Sequence, residues 1–359
     1  MPELPEVERA RRLVHDLCVG ARVTRVVRPV VDDKVFVDVD PGAFERALET
    51  RALVASERHG KQMWWRLSGD DALTPCFHLG MTGAFVARGV AGIQYYNSAA
   101  TGTGEWPPRH AKVCVSFDNG VEIAYVDPRR FGKIRLVEDV RSVVGGLGAD
   151  PSRGLPRGDA FAAMWRRRSA AIKTALMDQK IMAGIGNWMA DGAGESRSSR
   201  SARRDEVRDD ATGRATDESF GAPEILYRAR IHPETRANEL SASQLEAMRE
   251  RIIEVVTVAV EANSDHDLFP DDWLFHHRWG KTEGAKVNGD AIKFIEIGGR
   301  TTAYVPKLQL KTVKREPEVE TASDAPEKKR ARAKRSAKPA AAAAPRASTT
   351  RASARIAAR

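Results

Sequence analysis

The stretch from about residue 22 to residue 137 constrains the fold more than any other. It holds five runs rich in β-branched and aromatic residues: VTRVVRPVV, ALVASERHGKQMWWRL, CFHLGMTGAFVARG, AKVCVSFDNGVEIAYVDPRR and GKIRLVED. Gly, Asp and Pro interrupt them. Such runs read as strands, because branched and ring side chains pack well on a pleated, half-buried surface. Asp118-Asn119-Gly120 between two of them predicts a hairpin turn, since Asn and Gly tolerate positive φ. Several strands with few helices between them predict an antiparallel sandwich or barrel.

Helical patterns flank this block. Residues 4–18, LPEVERARRLVHDLC, suit an amphipathic helix. Pro5 fits its first turn, Glu6 and Glu8 complement its positive end, and Val7, Leu13, Val14 and Leu17 supply an apolar stripe. Residues 138–158 are rich in Gly and Pro and read as a linker. Asp159–Gln179 then shows helical spacing through Phe161, Met164, Trp165, Ile172, Leu176 and Met177. A glycine turn at 181–187 leads into another helix, and 241–262 predicts a long one. Its capping box is either Ser241 with Gln244 or Ser243 with Glu246. Residues 273–311 return to short strands, with turns at Asn288-Gly289 and Gly298-Gly299.

Composition narrows the class. No apolar run reaches the roughly 20 residues of a membrane span. The acidic start MPELPEVE lacks the apolar block of a signal peptide. Cys18, Cys76 and Cys114 are widely spaced and form no CxxC pair, which argues against both a disulfide framework and a cysteine zinc site and for an intracellular chain. The net charge of +9 looks like a nucleic-acid signature, but residues 314–359 hold 13 Lys/Arg against 5 Asp/Glu. The basic excess is therefore a tail property, and a DNA-binding core must use a local basic face.

The first three residues carry the chemistry. If Met1 is removed, Pro2 presents a secondary amine, which forms an iminium with an aldehyde carbon. An α-amino group has a reference pKa near 8, against about 10.4 for lysine, so more of it is nucleophilic at neutral pH. Glu3, directly beside it, is placed to move protons. Many chains begin Met-Pro, so the motif gains weight only from its company.

That company resembles the formamidopyrimidine-DNA glycosylase and endonuclease VIII family of base-excision repair enzymes. The matching segments are MPELPEVE at 1–8, HGK at 59–61, HLGMTG at 78–83, DPRRFG at 127–132, GIGN at 184–187, RARIHP at 228–233 and GGRTTAYVP at 298–306. GIQYYNSA, EWPP and GGRTTAYVP are most similar to the plant-type branch. The resemblance implies a catalytic group of Pro2, Glu3 and Lys61, with Glu6 as supporting carboxylate. His78, Asn187 and Arg300, together with Lys61, match contacts to phosphates around the lesion, and Lys173 is a further DNA contact. Met81, Arg129 and Phe131 match the residues that fill the hole left by an everted nucleotide, Arg129 facing the orphaned base. Arg130 is a weaker candidate beside it. The family's four zinc cysteines are absent, and Val305 and Leu308 stand where two would be. This resembles a zincless finger in which Trp273, Phe275, Phe294, Ile295 and Tyr304 pack in place of the metal. No metal and no cofactor are expected.

The fold class expected is α+β and multidomain. Residues 1–138 form an antiparallel β-sandwich with an N-terminal helix, 139–158 a linker, 159–264 a helix–two-turn–helix domain, 265–311 the zincless-finger hairpin and 312–359 a disordered basic tail. Residues 192–223 interrupt the helical domain where the family runs straight on. With Val207 and Phe220 as their only large apolar residues, they read as disordered. They are either a lineage-specific loop, the helix restarting near Pro223-Glu224, or a retained intron of 32 in-frame codons. The resemblance implies a bifunctional glycosylase and abasic-site lyase acting as a monomer on double-stranded DNA that contains oxidised bases or abasic sites, with oxidised purines favoured. The alternatives are a non-catalytic binder of damaged or abasic DNA, or the same chemistry on oxidised pyrimidines. The cluster Lys328-Lys329-Arg330-Ala331-Arg332-Ala333-Lys334-Arg335 implies the nucleus.

Overall fold

In the computed structural model, the described residues are 2–29, 32–69, 73–90, 104–186, 220–221, 224–278 and 284–311. All lie in the first of two units, 1–313 and 314–359. Asn187, nearly all of 192–223 and the tail from 312 lie outside them.

The chain opens with α1 (Leu4–Cys18), then β1 (Val23–Val27), α2 (Pro41–Leu48), β2 (Leu53–His59), β3 (Gln62–Leu67), β4 (Thr74–His78), β5 (Ala84–Ala87), β6 (Ala111–Phe117), β7 (Glu122–Val126) and β8 (Lys133–Val137). The strands form two four-stranded antiparallel sheets, ordered β1-β6-β7-β5 and β2-β3-β4-β8. Trp65, Phe77, Phe85 and Tyr125 meet between them, with ring centroids 4.9–6.2 Å apart. This is the sandwich the strand pattern predicts. The short helix α2 is not in that prediction. Asp40 caps it by accepting from Ala43 N at 2.7 Å, and Phe44 and Leu48 bury its inner face.

Helix α1 has the predicted boundaries but a shifted stripe. Val7, Ala10, Val14 and Cys18 are fully buried in the sandwich core, with Leu13 and Leu17 at its margin. Leu4 instead enters the core of the helical lobe. Two residues three apart thus anchor in different cores, and the chain start is fixed at their boundary.

The second half comprises α3 (Arg141–Val144), α4 (Gly158–Ala163), α5 (Ile172–Leu176), β9 (Phe220–Gly221), α6 (Glu224–Arg228), α7 (Ala242–Glu261), β10 (Lys286–Val287), β11 (Asp290–Ala291), β12 (Lys293–Ile297) and β13 (Arg300–Tyr304). The single helix expected over Asp159–Gln179 is broken into α4 and α5. After a turn at 164–168, residues 168–172 pair their backbone with 235–238 instead: Ile172 N donates to Thr235 O, Ala237 N to Ala170 O and Asn238 N to Arg168 O. Tertiary hydrogen bonds replace the helical ones, so apolar spacing alone misplaced the element. Helix α7 is capped by the Ser241–Gln244 box. Helix α6 begins at Glu224, whose buried carboxylate accepts from Phe275 N at 3.0 Å. The expected linker also carries structure, in α3 and a 3-10 turn at Pro151–Arg153.

At the C-terminal end, β12 and β13 form the expected antiparallel hairpin, and Asn288-Gly289 turns at φ 50° and 82° between β10 and β11. Its small core is Tyr227, Leu274, Val287, Ile292, Ala303 and Val305, with Phe294 and Leu308 packed on it. The residues at the thiolate positions are therefore hydrophobic packing. Trp273 and Phe275 belong to the helical core instead, because the 3-10 turn at Leu274–His277 faces them inward and Leu274 toward the hairpin. Leu274→Ala is expected to cost about 2–5 kcal/mol, whereas a chelator should leave the thermal midpoint unchanged. A differential scan with and without chelator checks both. Among the described residues, no helix is long and apolar enough to cross a membrane.

Candidate active site

Residues 2–6 are all buried at the junction of the two lobes. Glu3 caps α1, its side chain accepting from the Glu6 backbone while Glu3 N donates to Glu6 Oε2 at 3.0 Å. Glu3 also reaches across the junction, where its Oε2 accepts from Gly186 N at 2.9 Å. Leu4 N donates to Gly184 O at 3.1 Å. A capping box that serves helix geometry thus also pins the glycine turn of the helical lobe against the chain start.

Lys61 arrives from the β2–β3 turn and is buried. Burial lowers its pKa and Arg300 adds to that, while Glu3 and Glu6 pull it back up, the net direction being down. Glu3, Glu6, Lys61 and Gly186 therefore form one cluster, with the buried Pro2 next to Glu3 in the chain, and Arg300 on β13 acts on it electrostatically.

The turn that carries Lys61 is held from below. Asp150 accepts from Arg58 Nη1 at 2.6 Å, Gly60 N at 2.8 Å and Ser152 Oγ at 2.7 Å. Arg58 Nε in turn donates to Glu8 of α1 at 3.1 Å. This lock leaves almost no mark in the sequence. Arg58 is a charged residue on a strand, and Asp150 lies in a stretch taken for a linker. The only available signal was an Asp-Pro pair of the kind that starts a turn.

His78, at the end of β4, accepts from Gly80 N through Nδ1 at 3.2 Å. In the neutral ring Nε2 then carries the proton and is a donor. Burial, with Lys61, Arg135 and Lys133, lowers its pKa to about 4. Because the folded value is depressed, protons favour the unfolded chain, and stability falls as pH drops from about 6.5 toward about 4. The gap between 6.5 and about 4 amounts to roughly 3 kcal/mol before solvent screening is discounted. His78→Gln is expected to lose that acid-induced fall, measured as thermal midpoints across pH 4.5–7.5 (about the titration range).

The loops 78–83 and 127–132 are sewn together. Asp127, fully buried, accepts from Thr82 Oγ1 at 2.8 Å and Gly132 N at 2.7 Å, and Arg129 N donates to Thr82 Oγ1 at 3.3 Å. At Gly80 a Cβ would lie 2.3 Å from the Phe131 carbonyl carbon. That contact brings Met81, Arg129 and Phe131 to one edge. Met81 is half-buried, Arg129 exposed and Phe131 52% exposed, with the Arg129 guanidinium 5.1 Å from the Phe131 ring centre.

Lys173, which the resemblance implies as a DNA contact, is turned to the neighbouring strand. It is buried, and its Nζ donates to Thr302 Oγ1 at 2.7 Å and Thr301 O at 3.3 Å. It ties α5 to β13, and that burial, with the Thr partners, takes it off the open surface. Asn187 lies outside the described residues.

The fold defines a class of protein whose buried chain start is clamped between a β-sandwich and a helical lobe. The profile of the formamidopyrimidine-DNA glycosylase N-terminal domain matches residues 1–134, and that of the formamidopyrimidine-DNA glycosylase-like C-terminal domain matches 273–306. The chain is 38% identical over 312 residues to formamidopyrimidine-DNA glycosylase of Arabidopsis thaliana, covering 86% of this chain and 71% of that one. It is 29% identical over 323 residues to the Ligilactobacillus salivarius protein of the same name, covering 86% and 99%. The fold matches Lactococcus lactis formamidopyrimidine-DNA glycosylase bound to DNA containing an abasic site, at TM-score 0.62, 21% identity and coverage of 86% and 100%. The chain belongs to the formamidopyrimidine-DNA glycosylase family.

Proposed function

We propose that this protein is a bifunctional DNA glycosylase and abasic-site lyase that excises oxidised purines from duplex DNA in base-excision repair. The observation that carries it is the buried cluster of Pro2, Glu3, Glu6 and Lys61 closed by Gly186. With Met1 removed, the Pro2 amine attacks C1′ of the everted nucleotide, and the damaged base leaves with the glycosidic electron pair. The amine then loses its proton and the C1′–O4′ bond of the sugar opens, O4′ taking up a proton. This gives an iminium that acts as an electron sink: loss of a C2′ proton expels the 3′ phosphate, and a second elimination with loss of the C4′ proton expels the 5′ phosphate. Glu3 moves protons at the sugar. Lys61, the His78 Nε2–H, Arg300 and Asn187 hold phosphates, each charge-assisted contact fixing the strand without reading sequence. Met81 and Phe131 fill the space of the flipped nucleotide, and Arg129 hydrogen-bonds the orphaned base. The substrate is double-stranded DNA with oxidised bases or abasic sites, and the basic cluster 328–335 directs the enzyme to the nucleus.

Borohydride reduction with lesion duplex tests this. A covalent protein–DNA adduct is expected, and Pro2→Gly should abolish it; an unsubstituted protein that gives no adduct refutes the proposal. Intact mass supplies the companion check, since a retained Met1 leaves no Pro2 amine.

A further inference from the structure

The wedge loop has an anchor on a segment that none of the matched motifs covers. Asp32 lies in the loop after β1 and is 3% exposed. Its carboxylate takes both arms of Arg130, Nε and Nη2 each at 2.8 Å, and Lys112 Nζ at 2.9 Å. Arg130 stands between Arg129 and Phe131, at φ 59°. A non-glycine residue holds that left-handed conformation only when its surroundings enforce it. The Asp32 loop is itself fixed to the strand that leaves the wedge: Ile134 N donates to Val35 O at 2.8 Å, Val37 N to Ile134 O at 3.0 Å, and Lys133 Nζ to Lys34 O at 2.6 Å. Burial acts to raise the Asp32 pKa, but Arg130 and Lys112 outweigh it and hold the carboxyl at about 2. The anion therefore persists over the whole working range.

We infer that Asp32 is a positioning residue for opposite-base recognition: by holding the Arg130 guanidinium in a bidentate pair it keeps that backbone turned so that Arg129 and Phe131 both point out of the protein. Of two adjacent guanidiniums, one is consumed in the clamp and the other is left for DNA. This rests on the proposed function, which supplies the orphaned base.

The test is binding, so it does not require turnover. The probe is a labelled duplex holding a tetrahydrofuran abasic analogue opposite cytosine or opposite adenine, at one fixed salt concentration. The unsubstituted protein should prefer cytosine. Asp32→Asn and Arg130→Ala should each lose about tenfold of that preference, the scale of one good side-chain contact to a base. The double variant should lose no more than either alone, because both break one clamp. Arg130→Ala leaves the buried Lys112–Asp32 pair intact, so its result stands even if Asp32→Asn folds poorly. The 2-aminopurine signal beside the orphan position should change on binding only when the clamp is present.

Preference retained in Asp32→Asn, tighter binding from a released Arg130, losses that multiply in the double variant, or no preference in the unsubstituted protein would each overturn the inference. Borohydride trapping run in parallel separates the two ideas. Preference without any adduct sinks the enzymatic reading and leaves the clamp standing, and an adduct with unchanged preference does the reverse.

Discussion

Gly186→Ala is expected to lower strand cleavage by about 100- to 1,000-fold while leaving both lobes folded. A Cβ built on Gly186 would lie 2.1 Å from Lys61 Nζ and 2.6 Å from Glu3 Oε1. Both atoms are the ends of side chains, so the side chains can give, and in doing so they leave their present places in the cluster. Lys61 and Glu3 are buried, and Glu3 is held by both Gly186 N and the α1 capping box. The added methyl must therefore push the turn away from Glu3, or Glu3 and Lys61 away from Pro2. Displacements of about 1 Å at a reacting centre are enough for the loss stated. Overpacking of one methyl costs about 1–3 kcal/mol, which a domain of this size survives. Single-turnover cleavage of an abasic duplex, with circular dichroism as control, measures both parts. A folded variant that cleaves within roughly fivefold of the parent would mean that the cluster tolerates a shift of this size.

The largest loss of stability is expected from Asp150→Ala. The substitution leaves Arg58, with 4% of its side chain exposed, without its shortest ion pair. It also strips Gly60 N and Ser152 of their acceptor. Removing one partner of a buried pair costs about 3–5 kcal/mol, because the remaining charge stays desolvated. Glu8 still pairs with Arg58 at 3.1 Å, which keeps the loss within that range. Burial raises the Asp150 pKa, but Arg58, the Gly60 N–H and Ser152 more than reverse this, so its net shift is downward. The stabilisation is thus present above the ordinary carboxylate pKa and is lost as pH falls through the lower folded value. In Asp150→Ala the midpoint should be depressed at neutral pH, and the gap to the parent should narrow in strong acid. Urea titrations at neutral and low pH would show it, and equal gaps at both would contradict the lock. Cleavage should fall as well, since the Asp150 carboxylate holds the turn that presents Lys61.

Legibility was uneven for physical reasons. Helix α1 was readable to the residue because Pro5, the acidic first turn and the apolar period agree. Both hairpin turns at the C-terminal end were readable because only a few residue pairs accept two positive φ values. The span 159–179 was misread because tertiary hydrogen bonds to 235–238 outbid a locally helical pattern. The resemblance implies a DNA contact at Lys173, and nothing in AAIKTAL reveals that Thr301 and Thr302 stand opposite it. Asp32, Arg58 and Asp150 left almost no trace, since a lone charged residue in a loop or strand reads the same whether solvated or locked.

The sequence by itself determined the parts: a sandwich, a helical lobe, an apolar hairpin without thiolates, and a capped first helix. Those are local properties of side-chain type and period. Tertiary structure alone decided that Leu4 and Val7 enter different cores, that Gly186 leaves no space between Glu3 and Lys61, and that Arg130 is drawn into a bidentate pair with the buried Asp32. Each of these depends on which distant segment lies opposite, and so on packing, which no run of residues states in advance. The opening residues are buried and held only because two lobes close around them.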